Sequence, residues 1–163
     1  METVLILDFG AQYSQLIARR VREQNVYCEV KPCSISPDEI RKLAPIGIIL
    51  SGGPQSVYES VSLHVDPALF SLGIPVLGIC YGCQLMAYSL GGTVAAATEA
   101  TAREYGKTLT EFDTQSAIFH GLPASSVTWM SHGDYISQVP DGFTVTAKTA
   151  VCPTAAMACP EKK

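Results

Sequence analysis

The stretch Pro75–Leu90, which reads PVLGICYGCQLMAYSL, decides the fold class. Its first part, Pro75–Ile79, is a short continuous apolar run of the kind found in buried parallel strands. Its second part, Tyr81–Leu90, has apolar residues at helical spacing, and the following Gly91-Gly92 is typical of a helix C-terminus. The predicted buried face of this helix consists of Cys83, Met86, Ala87 and Leu90. A strand that runs directly into a helix indicates an α/β fold.

The residues before this stretch show the same alternation of strand and helix. Short apolar runs predict three strands, at Val4–Leu7, Val26–Val30 and Ile46–Leu50. An amphipathic helix is predicted between the first two strands. Its predicted apolar face consists of Tyr13, Leu16, Ile17 and Val21.

A second helix has a predicted start at Ser36, a typical N-cap residue. Pro37 suits the first helical position, and Glu39 completes a capping box. Together these elements predict a doubly wound, mostly parallel sheet of the flavodoxin-like type.

The second half of the chain predicts short strands separated by turn residues. The candidates are Thr93–Ala96, Tyr105–Thr110, Ser126–Met130 and Phe143–Lys148. They are interpreted as antiparallel extensions of the parallel core. The sequence shows no internal repeat or linker, so residues 1–163 are interpreted as one domain.

Composition and charge exclude several classes of protein. Of the 163 residues, 47% are apolar and 16% are charged, which predicts a globular domain with a hydrophobic core. A formal net charge of −4 argues against a nucleic-acid or anionic-membrane partner. No apolar run reaches the ~18 residues of a membrane span.

The N-terminus and the cysteines predict a cytoplasmic protein. Met1-Glu2-Thr3 has no basic region, and Val4–Leu7 is too short for the apolar part of a signal peptide. Without a secretion signal, the cysteines are expected to be free thiols. They are Cys28, Cys33, Cys80, Cys83, Cys152 and Cys159.

Cys80 is the strongest candidate for a reactive residue. Gly78 and Gly82 flank it in a G-x-C-x-G pattern, which predicts a sharp turn that exposes a nucleophile. The start of the following helix is expected to lower the pKa of the Cys80 thiol. The Tyr81 N–H is predicted to lie where an oxyanion hole needs a donor. The alternative is a buried, inert cysteine.

A glycine-rich loop, Ser51-Gly52-Gly53-Pro54, follows the third predicted strand. Open α/β sheets bind ligands at this end of their strands, and glycine lets a backbone N–H approach a substrate closely. The loop is either a second part of the oxyanion hole or a plain turn. It lacks the lysine of a phosphate-binding loop.

Cys80 and Cys83 also form a C-x-x-C pattern, which two other kinds of functional site use. This C-x-x-C occurs in thioredoxin-like redox sites and in zinc sites. The sequence has no second C-x-x-C and no histidine pair at ligand spacing, so no metal site is predicted. A redox site leaves the loop Ser51–Pro54 unexplained. Cys83 is therefore expected to be a core residue of its helix.

The three histidines carry weaker signals. His132 lies in Trp129–Asp134, a polar segment predicted to be a turn after a strand. Its imidazole is either a base for Cys80 or a group that orders the loop. His64 and His120 are predicted to lie at the surface.

Five segments together resemble the class I, triad-type glutamine amidotransferases, and within that family the glutaminase domains of GMP synthases. The segments are Leu5–Tyr13, Ser51–Tyr58, Gly78–Gln84, Arg103–Gly106 and Met130–Asp134. They occur in order along essentially the whole chain. G-x-C-x-G-x-Q is typical of the whole family, whereas D-F-G-A-Q-Y and M-S-H-G-D favour the GMP synthase branch.

The resemblance implies a role for each matching residue. Cys80 would attack the side-chain amide of glutamine, form a glutamyl thioester and release ammonia. The N–H groups of Gly53 and Tyr81 would hold the oxyanion. The amino-acid end of glutamine would be held by Gln84, Ser131 and His132. In the family, the histidine of this last segment is not the catalytic base.

The resemblance also implies partners and cofactors. Ammonia would pass to a synthetase domain or subunit of GMP synthase, which converts adenylated XMP to GMP with ATP and Mg²⁺. The glutaminase domain itself would need no cofactor. The synthetase has no counterpart in these 163 residues, and homo-oligomers are compatible with the sequence.

One feature of the family is missing from the sequence. The family's activating histidine and its orienting glutamate belong to a His-Pro-Glu motif near the end of the domain, and the sequence has no His-Pro-Glu. Cys152–Ala158 matches the segment just before that motif, with Thr154–Ala158 as a predicted strand and Pro160–Lys162 as a turn. The domain is therefore expected to be C-terminally incomplete and very slow in glutamine hydrolysis.

Two further classes of function are weighed against this resemblance. One is another cysteine-elbow enzyme, such as a DJ-1-like hydrolase. The other is a non-enzymatic module that binds glutamine or a partner. A glutamine analogue such as acivicin labels Cys80 only if that residue is a glutamine-directed nucleophile.

Overall fold

A buried central strand organises the first half of the chain. This strand, β1 (Thr3–Asp8), pairs in parallel with β2 (Tyr27–Pro32) on one side and with β3 (Gly47–Leu50) on the other. A fourth strand, β4 (Val76–Gly78), continues the sheet beyond β3, which gives the order β2-β1-β3-β4. The predicted parallel sheet is confirmed. Neighbours on both edges explain why the centre of β1 is a continuous apolar run and is fully buried.

The computed structural model describes residues 2–60, 62–97 and 104–162. The chain divides into two compact units, Met1–Met86 with Glu161–Lys163, and Ala87–Pro160. Arg103, in one of the segments that carry the resemblance, lies outside the described residues. None of the helices in the described part is long and apolar enough to cross a membrane.

The first helix, α1 (Ser14–Glu23), forms where it was predicted, and its predicted apolar face is confirmed in part. Ile17 and Val21 of that face pack against the core. Ser14 and Ala18 are buried, whereas Tyr13 and Leu16 of the predicted face are exposed. Ser14 donates a hydrogen bond of 2.7 Å from its hydroxyl to the carboxylate of Asp8. This bond fixes the rotation of the helix, because it turns the Ser14 side toward the end of β1.

The second helix, α2 (Pro37–Leu43), begins as its sequence predicts. The Ser36 hydroxyl accepts a hydrogen bond from the Glu39 N–H, and the Glu39 carboxylate accepts one from the Ser36 N–H. The capping box is therefore confirmed. The Ser36 hydroxyl also donates to the Glu39 carboxylate at 2.7 Å. This bond and the one from the Ser36 N–H lower the pKa of the Glu39 carboxyl, because they stabilise its charged form.

Two more helices follow in the chain. A short 3₁₀ helix, Pro67–Ser71, was not predicted, and Asp66 caps it by accepting a hydrogen bond from the Ala68 N–H. The third α-helix, α3 (Tyr81–Ser89), follows β4 as predicted. Met86 and Ala87 of its predicted apolar face are buried, whereas Cys83 is only half-buried.

The second unit is built from antiparallel strands. β5 (Thr93–Ala96) pairs with β8 (Asp134–Gln138) in a sheet of two strands. The other sheet has the order β10-β9-β6-β7. Its strands are β6 (Glu104–Phe112), β7 (Ser125–His132), β9 (Thr144–Lys148) and β10 (Ala156–Ala158). The antiparallel strands predicted for the second half are confirmed, and they form two sheets of their own.

The segment Trp129–Asp134 was interpreted as a turn, and this interpretation is wrong. Trp129 to His132 belong to β7, and β8 begins at Asp134, so only Gly133 lies between the two strands. β8 escaped prediction because its residues are mostly polar. Its pairing with β5 joins residues some 40 positions apart, such as Ala96 and Asp134, and a local pattern does not show such a contact.

Candidate active site

Cys80 lies at a sharp turn between β4 and α3, as the glycine pattern predicts. Its φ of 52° is in the left-handed region, which non-glycine residues rarely adopt. The N–H groups of Cys83 and Gln84 donate hydrogen bonds to the Cys80 carbonyl, at 3.0 and 3.1 Å. These bonds start α3 directly at the cysteine. The turn therefore holds Cys80 in a strained conformation with an exposed side chain.

The two glycines that flank Cys80 are required by close packing. A Cβ on Gly78 would lie 2.6 Å from the Cys83 nitrogen, inside the first turn of α3. A Cβ on Gly82 would overlap the carbonyl group of Leu50 at the end of β3. Only glycine at both positions lets helix and strand approach this closely.

The glycine-rich loop after β3 lies directly beside the cysteine. A Cβ on Gly52 would stand 3.6 Å from the Cys80 Cβ. A Cβ on Gly53 would stand 3.3 Å from the Tyr81 ring and 3.2 Å from the Phe9 carbonyl oxygen. The carboxyl ends of β1, β3 and β4 therefore meet around Cys80. Such a position, at the end of neighbouring parallel strands, is where open α/β sheets bind ligands.

Ser51 ties these three strand ends together, and the sequence analysis assigned it no role. Its N–H donates to the Leu7 carbonyl at 3.1 Å, and its hydroxyl accepts from the Phe9 N–H at 3.2 Å. The Gly82 N–H donates to the Ser51 carbonyl at 3.1 Å. The serine is completely buried. No sequence signal distinguishes it from any serine beside a glycine pair.

The Tyr81 side chain also carries a contact that the sequence does not reveal. Its hydroxyl donates a hydrogen bond of 2.5 Å to the Leu63 carbonyl, and its ring packs on Phe9 with the ring centres 5.4 Å apart. The Leu63 N–H in turn donates to the side-chain oxygen of Gln55. These bonds hold the long connection after β3 against the start of α3. The Tyr81 N–H lies in the first turn of α3, where N–H groups have no acceptor within the helix.

The surroundings of the Cys80 thiol affect its pKa in a way that the sequence analysis did not predict. The residue is exposed, yet surrounding protein atoms desolvate its sulfur, and this burial raises the pKa of the Cys80 thiol. Burial thus opposes the lowering that the start of α3 is expected to cause. Desolvation disfavours the thiolate. The site needs a base to generate the nucleophile at neutral pH.

Of the residues predicted to bind substrate, Gln84 lies in the same unit as Cys80. It lies in the first turn of α3, and its N–H donates to the Cys80 carbonyl at 3.1 Å. Ser131 and His132 lie in the second unit, at the end of β7. The roles of all three residues stay predictions.

His132 is anchored by a buried carboxylate. Its Nε2 lies 3.0 Å from Oε2 of Glu104, the first residue of β6, whose side chain is almost completely buried. The Thr149 hydroxyl donates to the other Glu104 oxygen at 2.5 Å. The contact with Glu104 favours the ordering role for His132. His64 and His120 are exposed, as predicted.

One group of metal-ligating side chains occurs in the described part of the chain. Glu104, His132 and Cys152 offer ligand atoms that all lie within 4.8 Å of one another. The Glu104 carboxylate already has a polar partner at each oxygen. The Cys152 thiol donates to the Thr154 carbonyl at 3.4 Å. Hydrogen bonds therefore account for the Glu104 and Cys152 groups, whereas Nδ1 of His132 is buried without a hydrogen-bond partner.

A cysteine elbow at the carboxyl end of a parallel strand, beside a glycine loop on the neighbouring strand, defines a class of cysteine-dependent acyl-transfer site. The family model for glutamine amidotransferase class-I matches residues 5–163. The chain belongs to this family.

Within this family, the chain is similar to curated GMP synthases. A GMP synthase [glutamine-hydrolyzing] of Clostridium botulinum is 55% identical over 161 residues, which is 99% of this chain and 31% of the relative. A GMP synthase of Lactobacillus acidophilus is 52% identical over 163 residues, again 31% of its length. The chain thus spans less than a third of these relatives.

Solved structures share the fold. A Thermoplasma acidophilum protein described as one subunit of a GMP synthase has a TM-score of 0.86 and 29% identity, covering 99% of this chain and 79% of that chain. A glutamine amidotransferase of Thermotoga maritima has a TM-score of 0.73 and 22% identity, covering 96% and 71%. The second similarity concerns the fold alone.

Proposed function

We propose that the chain is the glutamine-hydrolysing part of a GMP synthase, and that Cys80 is its nucleophile. The observation that carries this proposal is the strained, exposed Cys80 between β4 and α3, with the Gly52-Gly53 loop beside it. The similarity to GMP synthases over 99% of the chain supports the choice within the family.

The proposed reaction begins with attack on glutamine. The Cys80 sulfur bonds to the carbon of the side-chain amide, and the carbonyl oxygen becomes an oxyanion. The N–H groups of Gly53 and Tyr81 would donate to that oxygen, since Gly53 packs against the ring of Tyr81, the residue next to Cys80. The amide nitrogen then leaves as ammonia and a glutamyl thioester remains. Water hydrolyses the thioester to glutamate.

Two proton transfers in this scheme need a base. One removes the thiol proton of Cys80, whose pKa is raised by burial, and the other protonates the departing nitrogen. In the family, the histidine of the His-Pro-Glu motif performs both, and the 163 residues do not contain that motif. We assign binding of the amino-acid end of glutamine to Gln84, Ser131 and His132.

The proposal includes partners and a location. The ammonia would be used by a synthetase part, fused or separate, that aminates XMP to GMP with ATP and Mg²⁺. The glutaminase part itself would use no cofactor. A cytoplasmic location fits the six free cysteines, because reduced thiols persist there.

The test is made in the complete GMP synthase with Cys80→Ala. Glutamine-dependent GMP formation is expected to fall at least about 10³-fold, as on loss of other covalent nucleophiles, while ammonia-dependent formation stays unchanged. Cys83→Ala, one turn further along α3, is the matched control and is expected to keep both activities. Glutamine-dependent synthesis that survives in Cys80→Ala would disprove the proposal. Failure of acivicin to label Cys80 would point to another cysteine-elbow enzyme.

A further inference from the structure

An apolar face is left open on β6 and β7, two neighbouring strands of the four-stranded sheet in the second unit. We call it the ribbon face: Tyr105 and Leu109 of β6 with Val127 and Trp129 of β7. These four residues are between 58% and 74% exposed. Alternate residues of a strand point to one side, and the register pairs Leu109 with Val127 and Tyr105 with Ser131. All four side chains therefore lie on one side of the sheet.

The opposite side of the same strands is the packed one. Glu104 and Thr110 point there and are buried, and the Thr110 and Thr128 hydroxyls lie 2.6 Å apart. An antiparallel sheet with one packed side normally has polar residues on the other. In β6 and β7 the arrangement is partly reversed. The polar side is packed, and the open side carries a tryptophan, a tyrosine and two aliphatic residues. A face of this kind marks an interaction surface.

The surroundings of the ribbon face resemble the rim of an interface. The Lys107 ammonium stands 5.9 Å from the centre of the Trp129 ring. Glu111 and Lys148 form an ion pair of 3.2 Å across β6 and β9. Interfaces typically have an apolar, aromatic centre surrounded by charged residues. Tryptophan and tyrosine are also the residue types most enriched at energetically dominant contacts.

The ribbon face adjoins the segment that we assign to glutamine binding. Tyr105 pairs directly with Ser131, and a Cβ on Gly133 would lie 3.3 Å from the Tyr105 hydroxyl. A partner seated on this face would therefore touch the strand end that carries Ser131 and His132.

We propose that the ribbon face docks the synthetase part of GMP synthase. This inference rests on the proposed function. Relatives similar over 99% of this chain continue for more than twice its length beyond the match, so a larger body must be placed against this domain. The ribbon face offers such a body an exposed centre with aromatic residues, of the kind that interfaces contain.

Size and charge favour that occupant over a second copy of the chain. Four side chains of these types offer on the order of 500 Å² of contact area, while a stable association of free partners needs about 800 Å² from each side. Contacts between domains are often smaller, and covalent linkage or additional contacts supplement them. A symmetric dimer through this face would also bring two Lys107 ammonium groups to one apolar contact, which like-charge repulsion opposes.

Photo-cross-linking tests the occupant in the complete GMP synthase, with its synthetase either fused or supplied separately. Trp129 is replaced by p-benzoylphenylalanine, and cross-linked peptides are mapped by mass spectrometry. The control carries the same replacement at Tyr27 of β2, which is also exposed. We expect cross-links from position 129 to the synthetase part. Cross-links to a second copy, to other residues of the amidotransferase part, or at no more than the Tyr27 level would overturn the proposal.

A coupling measurement tests the consequence for activity. Trp129→Glu is expected to lower the ratio of glutamine-dependent to ammonia-dependent GMP formation at least about tenfold, while acivicin still labels Cys80 at the normal rate. Tyr27→Glu is expected to leave the ratio unchanged. An unchanged ratio in Trp129→Glu would refute docking at this face, whereas Cys80→Ala tests the proposed function separately. If Trp129→Glu loses labelling, the cross-linking result alone decides.

Discussion

At the scale of one residue, the turn at Cys80 was predictable from the sequence, whereas the effect of burial on its pKa was not. The turn was predictable because its causes are local: Gly78 and Gly82 stand two positions away on each side, and both are needed for close packing. The pKa direction was not predictable. The sulfur is desolvated by a surrounding shell, and part of it, Gly52, is 28 positions earlier in the chain. Long-range burial therefore opposes the effect expected of the local helix start.

Alkylation of Cys80 in the 163-residue chain tests this pKa. Only the thiolate reacts with iodoacetamide, so the rate follows the ionised fraction. Because burial raises the pKa of Cys80, we expect a lower rate at pH 7 than in the chain unfolded in guanidinium. The rate should also continue to rise with pH beyond the midpoint of the unfolded chain. The Cys80 peptide is quantified by mass spectrometry, with Cys80→Ser as the control.

A midpoint below that of the unfolded chain would contradict this expectation. It would mean that the start of α3 stabilises the thiolate more than burial destabilises it. The sequence-based prediction of a lowered pKa would then hold after all.

Two more residues at the site depend on contacts that no local pattern contains. Ser51 receives the Phe9 N–H across 42 positions of sequence, and Tyr81 reaches the Leu63 carbonyl across 18. Residue type alone gives no indication of either bond. By contrast, the capping box between Ser36 and Glu39 was predictable in full, since three positions contain the whole interaction.

At the scale of elements, the same distinction separates correct from incorrect predictions. β1 and β3 were predictable because buried parallel strands are continuous apolar runs. β4 also forms where it was predicted, but as an edge strand it is not buried, and Leu77 is exposed. The position of α1 was correct, and Ile17 and Val21 of its predicted face pack on the core, but Tyr13 and Leu16 are exposed. A hydroxyl-to-carboxylate bond from Ser14 to Asp8 and the small Ala18 decide the rotation of the helix, and hydrophobic spacing contains neither. β8 was missed because its strand pairing, not its composition, defines it.

The junction of β3 with α3 yields a test at this scale. Gly82→Ala would push a methyl group into the Leu50 carbonyl, so α3 must move away from the end of β3. We expect at least about a tenfold loss of acivicin labelling at Cys80 in the complete enzyme, because displacement of a positioned group by about 1 Å costs that much or more. Gly47→Ala in β3 is the matched control, with its nearest contact at 3.8 Å.

The control Gly47→Ala is expected to keep normal labelling. If Gly82→Ala also labels at the normal rate, the close approach of helix and strand is not what positions the cysteine. Circular dichroism of both variants shows whether a lost label reflects a displaced site or an unfolded domain.

At the scale of the whole molecule, the residues of the proposed site are divided between the two units. The proposed nucleophile and the two proposed oxyanion donors are in the first unit, held by the ends of β1, β3 and β4. Ser131 and His132 are in the second unit. The sequence order of the motifs was sufficient to predict the family, which the match over residues 5–163 confirms. It did not predict the ribbon face, because exposure depends on which side of a sheet is packed.

The inventory of histidines leads to a prediction for the chain by itself. His64 and His120 are exposed, and Nε2 of His132 lies against the Glu104 carboxylate. No other histidine occurs in the 163 residues. We therefore expect glutamine hydrolysis by this chain to be at least about 10³-fold slower than by the same chain extended through a His-Pro-Glu segment, since acid–base catalysis contributes about that much. Glutamate release, coupled to glutamate dehydrogenase, measures both rates.

Cys80→Ala in both proteins gives the background of the assay. Hydrolysis by the 163-residue chain within about tenfold of the extended chain, and abolished by Cys80→Ala, would mean that a base already present activates the thiol. His132 would then be the residue to examine, and His132→Gln would remove the activity. If the rate stays at background, the expectation holds: the 163 residues supply the nucleophile and oxyanion donors, and the base must come from the added segment.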